Sequence, residues 1–335
     1  MKAIGLLSGG LDSILAIKVL QEQGLEIEAL NFHTLFCSCT PKGSSCSAAA
    51  SAAKTLGVPL KVIATSDEFL EVVRRPKHGY GRNMNPCLDC RILKFSKARE
   101  YMLERGASFI FTGDVLGERP MSQNMEAMKL IERESGLAGL ILRPLCAKLM
   151  EPTIPEINGW VDREKLLNIQ GRSRKPQIAM AKDYGINDYP CPAGGCKLTE
   201  PNFANRLRDL MQHMPDFTKN DVQLLMTGRH FRLSGSTKAV MGRDANDNLK
   251  IMAYLKEGDI VMAVIDISGP TTLLRGADAE AWVEKAAIMT ASFSKADGQD
   301  ITVRISVTGG GRKEPVEMSV KPVSREMFDE VMLHQ

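Results

Sequence analysis

Lys2-Ala-Ile-Gly-Leu-Leu-Ser8-Gly-Gly-Leu-Asp-Ser13 is the stretch on which the reading of this chain turns. Lys2 to Leu7 is a short apolar run, Ser8-Gly-Gly a tight turn, and Leu11, Ile14, Leu15, Val19 and Leu20 then recur at helical spacing until Gly24. The segment therefore reads as strand, turn and helix. The pattern continues with strands at Glu28 to Phe32, Leu60 to Ala64, Ser108 to Thr112 and Leu140 to Leu142. Between them lie helices at Ser47 to Leu56 and Asp89 to Arg105. Strands alternating with helices imply an α/β fold with a doubly wound parallel sheet, whose ligands bind beyond the carboxyl ends of the strands. Ser8–Ser13, Asn31–Thr34 and Thr112–Asp114 all fall at such ends.

After about residue 200 the pattern changes. Short strands are expected at Ala239 to Arg243, Ile251 to Ala253, Ile260 to Ile265, Thr272 to Leu274 and Ile301 to Val307, with one helix at Ala279 to Ala291. Gly309 to Lys313 reads as a turn before a short terminal helix. The expected organisation is a 1–200 α/β domain followed by a smaller α+β domain at 220–335.

Composition narrows the class. The 335 residues are 44% hydrophobic and 25% charged, which excludes wholesale disorder and fibrous folds. No apolar run approaches the ~20 residues of a membrane span, and no signal peptide is recognisable. A cytoplasmic protein without a membrane partner is the expectation. The net charge of +3 carries little information, but its distribution does. Arg74 to Arg105 holds nine Lys and Arg against three Asp and Glu, and Arg163 to Lys182 holds six against one. Such patches suit phosphate backbones, or else are solvated helix faces.

Glycines in Ser8–Ser13 let the backbone turn sharply and approach a ligand, and free N–H groups at the helix start, with the Ser8 and Ser13 hydroxyls, form an anion cradle. Asp12 suits a phosphate site only if it holds a Mg²⁺. The Walker spacing is absent. The motif resembles the signature of the PP-loop ATP pyrophosphatases, which adenylate a carbonyl oxygen and release pyrophosphate. Asn85-Pro-Cys-Leu-Asp-Cys90 with Lys94-Phe95 resembles a segment of the tRNA 2-thiouridylases. Thr112-Gly-Asp-Val-Leu-Gly-Glu118 with Ser122-Gln123, and Leu142-Arg-Pro-Leu145, are similar to the tRNA 4-thiouridine synthases. The resemblance covers residues 1 to about 200. It implies that Ser8, Gly9, Gly10, Asp12 and Ser13 hold the pyrophosphate of ATP and its Mg²⁺, and that Asn31 to His33 and Thr112, Gly113 and Asp114 frame the adenosine. By position, Asp114 is a candidate for positioning or proton transfer.

Eight cysteines in such a chain argue for metal or redox chemistry over disulfides. Cys146 stands alone and reads as a small core residue. Cys87 and Cys90 form a C-x-x-C pair, and Cys191 and Cys196 flank Pro-Ala-Gly-Gly. Three thiolates leave one iron of a [4Fe–4S] cluster open, which is how cluster-dependent thiolation enzymes of this superfamily are thought to bind sulfide. The expected ligands are Cys87, Cys90 and Cys196, with Cys196 preferred to Cys191 as the third and as the catalytic cysteine. Alternatives are a persulfide-forming pair of Cys87 or Cys90 with Cys196, and a structural zinc on Cys87, Cys90, Cys191 and Cys196. Cys37, Cys39 and Cys46 would relay sulfur, bind a second metal, or stay unpaired.

The C-terminal segment, with Gly228-Arg-His-Phe-Arg232, Met241-Gly-Arg-Asp244 and Thr272-Leu-Leu-Arg275, is similar to the RNA-binding NFACT-R domain over about 225 to 308. Asp259-Ile-Val-Met-Ala263 departs from the aromatic pattern expected there. Arg229, Arg232, Arg243 and Arg275 are candidate phosphate contacts, with a homodimer or packing face as the competing use, and His230 is a candidate surface residue. The expected function is ATP-dependent tRNA uridine thiolation, with 4-thiouridine favoured over 2-thiouridine and free sulfide or a cysteine desulfurase as sulfur donor. Two features of the 4-thiouridine synthases are not seen: an RNA-binding domain ahead of Ile4, and the rhodanese that some members append after residue 200. The rival readings are a PP-loop sulfur transferase or amidase acting on a small molecule, and a non-catalytic RNA-binding protein.

Overall fold

The computed structural model describes residues 1–36, 45–189, 196–295, 298–309 and 314–333, with the side chains of 45–47 left out. The chain divides into two units, Met1–Thr199 and Glu200–Gln335.

The N-terminal unit is built on five parallel strands: β1 (Lys2–Leu6), β2 (Glu26–His33), β3 (Leu60–Ala64), β4 (Phe109–Thr112) and β5 (Ile141–Leu142). Their order, β3-β2-β1-β4-β5, is that of a doubly wound sheet. The chain winds to one side of β1 and then to the other, so the switch point lies between β1 and β4. Ile4, Leu30 and Ile110 point to one face, where the helix Cys87–Glu104 packs through Phe95, Ala98 and Met102. Ala3, Ala29, Phe109 and Phe111 point to the other, against the helix Leu11–Gln21 and its neighbours. Burial on both faces explains the nearly unbroken apolar strands.

One ionic knot fixes the cysteine-bearing helix to the sheet. Glu28 on β2 is buried and accepts hydrogen bonds from Tyr101 and from Arg105 Nε at 3.0 Å, with Lys2 Nζ also at 3.0 Å. Burial alone would raise the carboxyl pKa, but these donors overcome it and hold the group at about 2.

The C-terminal unit is an antiparallel sheet of β6 (Arg229–Arg232), β7 (Thr237–Met241), β8 (Ile260–Val264), β9 (Thr271–Gly276), β10 (Ile301–Val307) and β11 (Val316–Val320), in the order β11-β10-β8-β9-β7-β6. The helix Val283–Ser292 covers one face through Ala286, Ala287 and Met289. The α/β and α+β fold classes expected from sequence are both present.

Several details differ. Ile251–Ala253 is not a strand but the end of the helix Ala245–Ala253, started by Asp244, whose side chain accepts from Asp247 N at 2.8 Å. Ile251 is apolar because it packs on Leu224, Val240 and Leu273. Strands β6 and β11 lie at the two edges, where short length and charged residues weaken the strand signal. The expected helix from Ala279 begins as a 3₁₀ turn, Ala279–Trp282.

Glu28→Gln is expected to lower stability at neutral pH by about 1–3 kcal/mol. Because Glu28 is held below its ordinary value, its contribution is complete above pH 4.5 and fades as the pH falls toward about 2. Urea unfolding near neutrality and at pH 3 would show the wild-type advantage shrinking in acid.

Candidate active site at the switch point

The turn after β1 is shaped by two close backbone approaches. Gly9 has φ +81°, and a Cβ there would lie 2.6 Å from backbone atoms of Ala48 and Ala49. Gly113, just beyond β4, is tighter: its Cβ would lie 2.4 Å from the carbonyl carbon and oxygen of Asp12. The loops after β1 and β4 thus touch with no room for a side chain. Ser13 Oγ donates to Gly10 O at 2.8 Å, and Ser8 Oγ accepts from Gly10 N at 3.2 Å, so both hydroxyls also shape the loop. No side chain caps the helix that starts at Leu11, which leaves its first N–H groups for an anion.

Around this turn lie buried polar atoms that make no hydrogen bond among the described residues. They include Asp12 Oδ1, Arg174 Nε, Arg91 Nε and Gln123 Oε1. Arg174 Nη2 is 3.8 Å from Asp12 Oδ2. Burial raises the Asp12 pKa, opposed first by Arg174, then by its own backbone N–H and the Gln177 side chain, and last by Arg119. Glu118 is raised as well, by burial and then by Asp12. Buried polar groups are normally paired, so such a concentration marks a site built to receive a polar ligand. An unpartnered carboxylate oxygen between two glycine-lined loops fits a Mg²⁺ ligand in kind.

The remaining expected residues have defined places. Asn31 is buried and donates to Leu7 O at 2.7 Å, bracing the start of the turn. His33 ends β2 and Thr112 ends β4. Asp114 is buried with both carboxylate oxygens engaged: one by Arg91, the other by Gln123 Nε2 at 2.9 Å. Both oxygens are thus oriented by fixed donors. Arg91 belongs to the helix Cys87–Glu104, and Asp114 therefore ties the cysteine helix to the turn after β4.

Cys87 and Cys90 stand in the first turn of that helix, and Asn85 Nδ2 contacts Cys87 Sγ at 2.8 Å. Cys87 is raised by burial and by Cys90. Cys196 is pushed up to about 12 by burial, with Cys90 and Cys87 adding to the shift. The three thiols therefore share one neighbourhood, with Arg119, Arg91 and Lys94 as nearby cations. The donor set is soft and thiol-rich, as an iron–sulfur cluster requires. As placed, though, no group of three His, Cys, Asp or Glu among the described residues is arranged to hold a metal ion. Cys191, Cys37 and Cys39 lie outside the described residues, as does the side chain of Cys46. Cys146 is fully buried and pushed up to about 11 by burial, as a core thiol would be.

Sequence reasoning missed Arg119, Arg174 and Gln177. Arg174 was counted only within the Arg163–Lys182 patch. In the second unit, three of the four arginines expected on phosphates pair with carboxylates: Arg275 with Asp259 and Asp221, Arg232 with Asp209, and Arg243 with Asp247 at 2.6 Å. His230 is buried, not at the surface. Arg243 is half exposed beside Asp247, and Arg229 lies over the Phe293 ring at 5.2 Å.

Comparison with known proteins agrees with the two-part resemblance. Residues 1–133 match the family described as the tRNA methyl transferase HUP domain, and residues 228–332 match the NFACT protein RNA binding domain. The tRNA-specific 2-thiouridylase MnmA of Pseudothermotoga lettingae is 35% identical over 127 residues, 34% of this chain and 36% of that protein. The chain thus spans about a third of the length of such curated relatives. A 4-thiouridine synthetase–RNA complex with bound ATP is similar at 21% identity and a TM-score of 0.39, covering 67% of this chain and 52% of that one. The U34-tRNA thiolase NcsA of Methanococcus maripaludis, solved with its [4Fe–4S] cluster, is similar at 14% identity and a TM-score of 0.34, covering 68% and 71%. No helix among the described residues is long and apolar enough to cross a membrane.

Gly113→Ala is expected to weaken ATP binding at least about 10-fold, because the added methyl must displace backbone rather than a flexible side chain. Gly10→Ala, whose Cβ would meet only Ser8 Oγ at 3.4 Å, is expected to change it by less than about 3-fold. Calorimetric titration with ATP and Mg²⁺ compares the two.

Proposed function

We propose that this protein is an ATP-dependent tRNA uridine thiolase, a sulfurtransferase that converts ATP to AMP and pyrophosphate. The observation that carries the reading is the ring of unpartnered buried polar atoms around Asp12, at the switch point and beside the helix that begins with Cys87 and Cys90.

The turn Ser8–Ser13 and the open helix N-terminus receive the phosphates of ATP, and Arg174 and Arg119 offset their charge. A Mg²⁺ on Asp12 would neutralise charge on the departing pyrophosphate. Asn31, His33, Thr112 and Gly113 form the strand-end rim that takes the adenosine. The uracil carbonyl oxygen attacks the α-phosphorus and pyrophosphate leaves. Sulfur then attacks the activated ring carbon, and AMP departs with the former carbonyl oxygen. Asp114 acts as a positioning residue, holding Arg91 and Gln123 at the junction of the nucleotide turn and the cysteine helix. Cys87, Cys90 and Cys196 handle sulfur. A [4Fe–4S] cluster on these three thiolates would supply an open iron for sulfide; zinc on Cys87, Cys90, Cys191 and Cys196 would supply only structure.

The product isomer has support on both sides. The Thr112–Glu118 stretch favours 4-thiouridine, whereas the curated relatives are named 2-thiouridylases, which makes 2-thiouridine the first product to look for. Residues 228–332 are assigned to tRNA binding, with the partly exposed Arg243 and Arg229 as its phosphate contacts. Catalysis takes place in the cytoplasm, with sulfide or a desulfurase as donor.

Anaerobic incubation with tRNA, ATP, Mg²⁺ and sulfide, followed by nucleoside mass analysis, is expected to yield thiouridine, with chromatography separating the two isomers. Asp12→Ala is expected to cut pyrophosphate release at least about 100-fold while leaving tRNA binding within a few-fold. Anaerobic reconstitution is expected to give about four irons per chain, most of which Cys87→Ala, Cys90→Ala and Cys196→Ala each lose. One zinc and no iron would instead indicate a structural or persulfide-based site and overturn the cluster mechanism.

A further inference from the structure

The C-terminal unit has a cavity of its own. It lies between the helices Pro201–His213 and Lys219–Leu225 and the sheet face opposite the helix Val283–Ser292. Its apolar wall is Leu210, Leu224, Leu225 and Val240. Against that wall stand the cations Arg232, Lys238 and Arg275, with His213 and His230.

The charges in this cavity are unevenly matched. Arg275 is balanced by two carboxylates, Asp259 and Asp221. Arg232 and Lys238 share one, Asp209: Arg232 binds it through two nitrogens at 2.8 and 2.6 Å, and Lys238 Nζ lies 3.0 Å away. His213 Nδ1 is a further 3.5 Å neighbour of the same carboxylate. Arg206 adds a third cation close enough to disfavour the charge on Lys238, and its Nε is buried without a partner. Lys238 is only 8% exposed. Its ammonium has three donors, and Asp209 is the one acceptor it meets among the described residues. Burial therefore lowers the Lys238 pKa to about 8 despite that partner. His230 is 1% exposed. Its Nε2 faces Thr227 O at 2.8 Å, which holds the proton on Nε2; the Leu224 backbone also lies beside the ring, and Nδ1 is buried without a hydrogen-bond partner.

Buried cations in excess of their carboxylates, unused donors and an orphaned acceptor on one cavity wall are what an absent anion would leave behind. We propose that this cavity is a phosphate-binding pocket in which Arg232 and Lys238 grip a phosphate group and His230 Nδ1 accepts a hydrogen bond from its protonated oxygen. The pocket is independent of the nucleotide crevice, and the inference does not rest on the thiolation reading. The phosphate is a monoester or inorganic phosphate, since a backbone diester has no protonated oxygen near neutral pH; it comes either from the terminal phosphate of an RNA chain or from a free phosphate ester.

The test uses the full chain in chloride buffer, titrated with inorganic phosphate and followed by NMR of the histidine rings. The chain has five histidines, so substituting His230 identifies its signal. The His230 ring resonance is expected to shift saturably with phosphate. Lys238→Met is expected to abolish the shift while leaving thermal stability in chloride at or above wild type, because an uncompensated buried charge is gone. Asp209→Asn is expected to do the reverse, tightening phosphate binding several-fold while lowering stability without it. If phosphate displaces tRNA and Lys238→Met weakens tRNA binding, the pocket takes an RNA phosphate; if tRNA binding is unmoved, it takes a free ester. A His230 signal unaffected by phosphate in the wild type, or an undiminished shift in Lys238→Met, overturns the proposal.

Discussion

The backbone contact between Gly113 and Asp12 is the constraint from which the N-terminal unit's site follows. β1 and β4 are neighbours at the point where the winding direction reverses, and the loops leaving them must share one crevice. A side chain at residue 113 would force them apart. With glycine there, the residues on either side of the contact reach outward. Asp12 faces Arg174 and the polar groups around it. Asp114 reaches Arg91 on the cysteine helix and Gln123 on the segment beyond β4. One tight approach thus joins the turn after β1 to the helix that carries Cys87 and Cys90, and the Glu28 knot secures the far end of the same helix.

What could be read in advance follows from the range of each signal. Ser8–Ser13 and Thr112–Asp114 are local motifs at the ends of apolar strands, and the topology that unites them is dictated by alternating strands and helices. Cys87 and Cys90 were legible for the same reason: three residues apart at a helix start, they need no tertiary information. Arg174 and Gln177 were not. They lie more than 150 residues from Asp12 and carry no motif that ties them to it. Asp114 was found by position, but its partners, Arg91 and Gln123, carry no local signal that ties them to it. In the second unit, Ile251–Ala253 misled because three apolar residues suit a strand or a buried helix end equally well.

The second unit shows why arginines are poor guides to nucleic acid when read from sequence alone. Residues alternate across a strand, and in β6 and β7 one set, Phe231, Ala239 and Met241, enters the core beneath the helix Val283–Ser292. The other set, His230, Arg232, Lys238 and Val240, lines the cavity on the opposite face. Arg232 and Arg275 look like surface cations in the sequence but are tied to carboxylates within the fold. Their interest lies in how unequally those carboxylates are distributed.

The central claim is that ATP bound at the switch point activates a uracil carbonyl by adenylation. The fate of the oxygen tests this most directly. With a tRNA carrying a heavy-oxygen label in the target uracil carbonyl, each turnover is predicted to place the label in the phosphate of AMP, in step with the thiouridine formed. Label released into water, or AMP formed without it, would contradict the account.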